Sequence, residues 1–129
     1  MDLTPRSSGA RFMIDAYGDG RFRVGGQVRT GSILLAPDRI LPWAATSLVA
    51  LSPQQILDQL SPLLNPPEKR PEILLLGCGV RIEMIAPATR ILFKERGVSL
   101  ETMDTGAACR TYNVLVAEDR LVAAALVAV

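Results

Sequence analysis

Glu72-Ile-Leu-Leu-Leu76, closed by Gly77-Cys78-Gly79, decides how this chain is read. A run of large apolar residues with no polar alternation suits a strand covered on both faces, the usual condition of a parallel sheet. The sequence beyond it supplies the crossovers. Pro87 to Arg96 reads as a helix with Ile91 and Leu92 inward, stopped by Gly97. Val98 to Met103 reads as a second strand, and Asp104-Thr105 as the cap of a helix running to about Ala117. Glu118-Asp119 turns the chain into a Val/Ala-rich final strand, Leu121 to Val127. A strand–helix–strand–helix–strand order implies parallel neighbours joined by right-handed crossovers, that is, two βαβ units.

Toward the N-terminus the pattern changes. Ser52-Pro53 with Gln55 is a capping signature, and Ile56, Leu57, Leu60, Leu63 and Leu64 recur at helical spacing. Pro62 interrupts that pattern and predicts a kink or an end near Ser61. Asn65-Pro66-Pro67 to Pro71 reads as a stiff connector. Upstream lie short runs of strand character: Phe12 to Tyr17, Arg21 to Val24, Val28 to Thr30, Ser32 to Ala36 and Arg39 to Leu41. Gly18-Asp19-Gly20, Gly25-Gly26, Gly31 and Pro37-Asp38 separate them, which predicts an antiparallel meander. The expected organisation is a loose tail over 1–11 and one mixed α/β domain over 12–129, a meander followed by the two βαβ units.

Composition narrows the chemistry. With 129 residues, 49% of them apolar, one core forms without disulfide staples. A net charge of +1 gives no broad attraction to nucleic acid or anionic lipid. Aromatic residues are sparse, and Phe22 between Arg21 and Arg23 reads as a hairpin rather than a base-stacking platform. The chain has no histidine, which removes Ser-His-Asp and Cys-His catalysis, histidine-ligated metal and histidine pH switching. Cys78 and Cys109 form no CxxC pair, so neither a structural zinc site nor a disulfide scaffold is expected. Two free, buried thiols, no apolar secretory stretch near Met1, and no apolar run long enough to span a bilayer make a cytoplasmic protein the expectation. No metal or cofactor is expected.

Ligands of parallel sheets bind beyond the carboxyl ends of the strands. Two such ends, Gly77 to Arg81 and Asp104 to Asn113, are expected on one edge. They gather Gly77, Gly79, Arg81, Asp104, Thr105, Cys109 and Arg110 as a candidate anion or ligand site, with Cys78 and Asn113 beside them. Each has a plainer role. Asp104 or Thr105 is explained as a helix cap, Gly77 and Gly79 as turn-formers, Cys109 as core, and Arg81 and Arg110 as ion-paired or solvated. Asn113 is either a satisfied buried amide or an exposed contact. Trp43, after Leu41-Pro42, either covers a strand end or anchors a protein partner. Met84-Ile85 and Met103 are expected to fill core space.

The chain resembles a family of small Mth-type domains of largely unknown function, which includes the mitochondrial complex I (NADH dehydrogenase) assembly factor 3 and an adipogenesis-associated protein. The resemblance rests on Gly31-Ser32, Leu41-Pro42-Trp43, Glu72 to Gly77 with Gly79, and above all Met103-Asp-Thr-Gly-Ala-Ala-Cys-Arg-Thr-Tyr-Asn113. It implies a three-layer α/β arrangement with a β-hammerhead-like N-terminal element, a protein partner, and no catalytic residue to carry over. The resulting expectation is a non-catalytic protein-binding or assembly-assisting module of bacterial type. The alternative is a small-molecule or anion-binding domain, even a minor enzyme, at the edge formed by 77–81 and 104–110.

Overall fold

The computed structural model describes residues 11–129, so the N-terminal tail expected from the sequence lies outside the described residues, except for Arg11. In chain order the elements are β1 (Ile14–Gly18), β2 (Arg21–Val24), β3 (Gln27–Thr30), β4 (Ser32–Ala36), β5 (Arg39–Trp43), α1 (Pro53–Leu64), a 3-10 turn (Pro67–Lys69), β6 (Ile73–Gly77), α2 (Pro87–Lys94), β7 (Ser99–Met103), α3 (Thr105–Ala117) and β8 (Val122–Leu126). They form a three-stranded sheet, β1-β2-β3, and a five-stranded sheet, β5-β4-β8-β6-β7. β6 lies parallel to both β7 and β8, the two βαβ units read from the sequence, and β4 pairs antiparallel with β8.

The run of N-terminal strands is divided at Gly31, whose φ of 88° favours glycine. Side-chain pattern explains the division. In β2, Phe22 and Val24 are buried while Arg21 and Arg23 are exposed, so this strand needs cover on one face only. All five residues of β4 are buried, so it must lie inside a sheet covered on both sides, and the β4–β5 hairpin joins the larger sheet.

Successive residues of the larger sheet feed two separate cores, as the pleat requires. Leu34, Leu74, Leu76, Ala123 and Ala125 pack with the apolar faces of α1 and α2. Ile33, Leu35, Leu75, Ala124 and Leu126 pack with Ala108, Cys109, Tyr112 and Val116 of α3, and with Ile14, Phe22 and Val24 of the small sheet. The layers are therefore α1 with α2, the five-stranded sheet, and α3 with the small sheet.

Three expectations need correction. Helix α1 does not end near Ser61 but runs through Pro62 to Leu64. A proline in the last turn forfeits one backbone bond, while Leu63 and Leu64 gain burial, and Arg39 Nη1 donates to the carbonyls of Pro62 and Asn65, both at 2.7 Å. In α2 the buried residues are Thr89 and Phe93, four apart, which leaves Ile91 between them on the opposite side and 56% exposed. Met84 is 88% exposed rather than part of the core. Ile85 and Met103 do pack against the two cores.

Trp43 ends β5 in the first core, 8% exposed, and its Nε1 donates to Gln59 Oε1 at 2.8 Å. Replacing it removes the largest side chain at this end of the sheet and leaves Gln59 without its donor. Trp43→Ala is expected to lower unfolding free energy by about 3 kcal/mol in urea melts. A loss below about 1 kcal/mol would mean that the indole contributes little to the core.

Candidate functional site

The end of β6 meets the start of α3 in a closed set of hydrogen bonds. Thr105 is fully buried; its N–H donates to Gly79 O (2.8 Å), and its hydroxyl accepts from Gly79 N (2.9 Å) and donates to Val127 O (2.7 Å). Cys78 N donates to Met103 O at 2.8 Å, and Val127 N to Gly77 O at 2.9 Å. Asp104 is the N-cap: its Oδ1 accepts from Ala107 N at 2.8 Å. A Cβ on Gly77 would stand 3.1 Å from Thr105 Cα and 3.2 Å from Ala108 Cβ, so any side chain here would press the helix and strand apart by a few tenths of an ångström.

The sequence-derived residues therefore divide. Gly77, Gly79, Asp104 and Thr105 come together at the strand ends, where they bond largely to one another and to the neighbouring backbone. Arg81 is exposed beyond them. Cys109 and Arg110 lie one turn along α3, toward the small sheet. There they share a recess of about 320 Å³ with Asp15, Tyr17 and Asn113, and Arg110 Nη1 donates to Tyr17 Oη at 3.1 Å. An acidic side chain, Asp15, thus lines the same recess as the arginine that would hold an anion.

Neither thiol is activated. Both cysteines are free and buried. Burial pushes the Cys109 thiol up to about 12, against the smaller opposing effect of the Arg110 charge, and burial likewise raises Cys78.

The remaining polar residues of α3 hold the small sheet. Tyr112 Oη donates to Phe12 O at 2.9 Å. Asn113 Nδ2 donates to Ile14 O (2.7 Å) while its Oδ1 accepts from Ile14 N (2.9 Å), so one side-chain amide takes the place of a neighbouring strand on the free edge of β1. Of its two readings, the satisfied amide is the observed one. Arg11 donates to Val116 O at 2.6 Å and pairs with Asp119.

What the sequence did not disclose is an open groove of about 740 Å³ beside Trp43, walled by Leu41, Pro42, Ala44, Ala45 and Leu51. The one sequence signal was the run of small residues after Trp43, which leaves space where a large side chain would fill it. No helix among the described residues is long and apolar enough to cross a membrane.

Two measurements test these roles. Asn113→Leu strands a backbone donor and acceptor at Ile14 and should cost about 2 kcal/mol, with loss of amide-exchange protection concentrated in β1. For Cys109, unfolding frees a thiol with an ordinary value of 9.0, whereas the folded thiol holds its proton to about 12. The unfolded state sheds its proton first, so stability falls as pH rises from 9 toward 12. Urea midpoints for Cys109→Ala should show a shallower alkaline decline than the parent.

Comparison with known proteins places this geometry among relatives. The family described as protein of unknown function DUF498/DUF598 matches residues 14–127. The chain is 34% identical over 122 residues to NADH dehydrogenase [ubiquinone] 1 alpha subcomplex assembly factor 3 of Xenopus tropicalis, a match covering 95% of this chain and 64% of that protein. The chain thus spans under two-thirds of that relative's length. A crystal structure described as an outer membrane protein from Bartonella henselae superposes with a TM-score of 0.78 at 41% identity, covering 92% of this chain and 96% of the other. The solution structure of a Mth938-like domain from Bordetella pertussis gives 0.80 at 31% identity, covering 98% and 92%. With its fold and most of its length shared in this way, the chain belongs to the DUF498/DUF598 family of Mth938-like domains.

Proposed function

We propose that this chain is a non-catalytic protein-binding module that assists assembly of a larger complex, by kinship the respiratory NADH dehydrogenase, and that its partner docks in the groove beside Trp43. The observation that carries the reading is a contrast between two ends of the same sheet. At the strand-end edge, Thr105 and Asp104 engage the polar groups that a small ligand would need. Beside Trp43, apolar walls stand open to solvent. An apolar groove with few polar groups offers a protein side chain burial but gives a small polar substrate little to bond. Relatives named as assembly factors support a protein partner over a substrate. Unpaired buried thiols fit a reducing cytoplasm.

The test is genetic and structural together. In the cell from which the chain comes, deleting its gene should lower the amount of assembled NADH dehydrogenase seen on native gels. The parent chain should restore it. Arg110→Gln should restore it too, because the recess beside the small sheet that holds Arg110 is not the working surface. Ala44→Arg with Thr46→Arg, both at exposed groove positions, should fold with an unchanged melting temperature and fail to restore it. Full assembly in the deletion strain would overturn the assembly role. Failure of Arg110→Gln, together with a melting temperature raised by phosphate at constant ionic strength in the parent alone, would favour the anion site instead.

A further inference from the structure

The helix layer on one face of the large sheet stops one strand short. Neighbouring strands lie about 4.8 Å apart and packed helices about 8–10 Å apart, so two helices cover roughly four strands. The sheet has five strands, and α1 and α2 are the helices on this face. α2 packs on β7, α1 packs on β4 and against α2, and β5 lies beyond α1 at the edge. The groove beside Trp43 occupies the place of a third helix. Gln59 and Pro62 of α1 line one side of it, and Leu41, Pro42 and Trp43 of β5 line the other. From Leu51, just before α1, to Pro62 in its last turn, the groove runs about 15 Å, the length of three helical turns.

We propose, resting on the groove as the docking surface, that the partner fills this place with an amphipathic helix of its own and so completes the layer. An added strand finds too little to pair with. Ala36 and Arg39 close the two-residue turn of the β4–β5 hairpin, and alternation from that pair sets Leu41 and Trp43 toward β4 and Ile40 and Pro42 outward. Pro42 has no N–H, so Ile40 is the one residue of these two that offers an incoming strand both a donor and an acceptor. A helix needs neither, because its backbone bonds are made within itself. Charge selects the same occupant. None of the eleven residues lining the groove is charged. The charges at its two ends are engaged: Arg39 Nη1 donates to the carbonyls of Pro62 and Asn65, and Glu83 accepts from Leu48 N and the Ser47 hydroxyl. The complementary surface is an uncharged apolar stripe with its anchors at i, i+3, i+4 and i+7. A second copy of this chain has no such stripe to give. Among the described residues, the exposed large apolar side chains on its helices are Ile91 of α2 and Val114 of α3 alone.

Trp43 reports on this place directly, because it is the one tryptophan of the chain and lines the groove. The probes are two synthetic peptides of equal length and composition, built from leucine, lysine, glutamate and glutamine. One carries its leucines at helical spacing, the other in strict alternation. Titrating the helical peptide into the full chain should shift the Trp43 emission saturably, with a Kd below about 1 mM, while circular dichroism shows the peptide gaining helix. The alternating peptide should change neither signal. Ala44→Arg should weaken binding of the helical peptide by about tenfold or more, and Arg110→Gln should leave it unaltered. Equal or tighter binding of the alternating peptide, an emission that does not saturate, or binding indifferent to Ala44→Arg would overturn the helix. The groove stands or falls separately. If the helical peptide fails while Ala44→Arg with Thr46→Arg still cannot restore assembly, the groove remains the docking surface and its occupant is not a helix. If that double variant restores assembly, the groove itself is lost.

Discussion

At the first turn of α3 a buried hydroxyl bonds to two other segments at once. Thr105 accepts from Gly79 beyond β6 and donates to Val127 beyond β8, while Asp104 continues β7 directly into the cap. Three strand ends that have left their ladder would otherwise present unpaired backbone inside the protein, at a cost of about 1–3 kcal/mol for each orphaned group. A threonine meets this need in a way that valine would not, because its hydroxyl both accepts and donates. The absence of a side chain on Gly77 is the other half of the arrangement, because the helix axis can reach the sheet only where nothing stands between them.

The position of α3 then determines how the small sheet attaches. Its apolar face supplies the second core, and its polar residues reach past that core to the backbone of Phe12 and Ile14. A three-stranded sheet of four- and five-residue strands is marginal alone. Here it gains Phe22 and Val24 as buried contacts and an amide that stands in for a missing strand on β1. Within the block from Asp104 to Asn113, which carries the family resemblance, Asp104, Thr105, Tyr112 and Asn113 have structural duties: a cap, a strand-end tie and a clamp on the small sheet.

Features governed by local rules were legible. The capping box at Ser52 and Gln55, the two-sided burial of β6, and the cap at Asp104 each depend on residues within a few positions of one another. Features governed by what lies across the molecule were not. That β4 leaves the meander depends on β8, almost ninety positions away, offering it an edge. That α1 survives Pro62 depends on Arg39 arriving from another element. That Ile91 faces water depends on Phe93 having taken the inward position. Asn113 was ambiguous because an amide at mid-helix has no partner within its own helix that would reveal its role. The groove beside Trp43 was hidden for a different reason, since empty space has no residue to mark it.

A group already bonded on every side gains nothing from a newcomer unless an existing bond breaks, and at the strand-end edge the broken bonds would be those that hold β6, β8 and α3 together. The buried thiols are protonated at neutral pH for the same reason that they are stable in the core: nothing nearby repays the cost of exposing a charge there. The groove beside Trp43 offers apolar surface next to water. Burying such surface on contact is favourable whatever the exact chemistry of the partner.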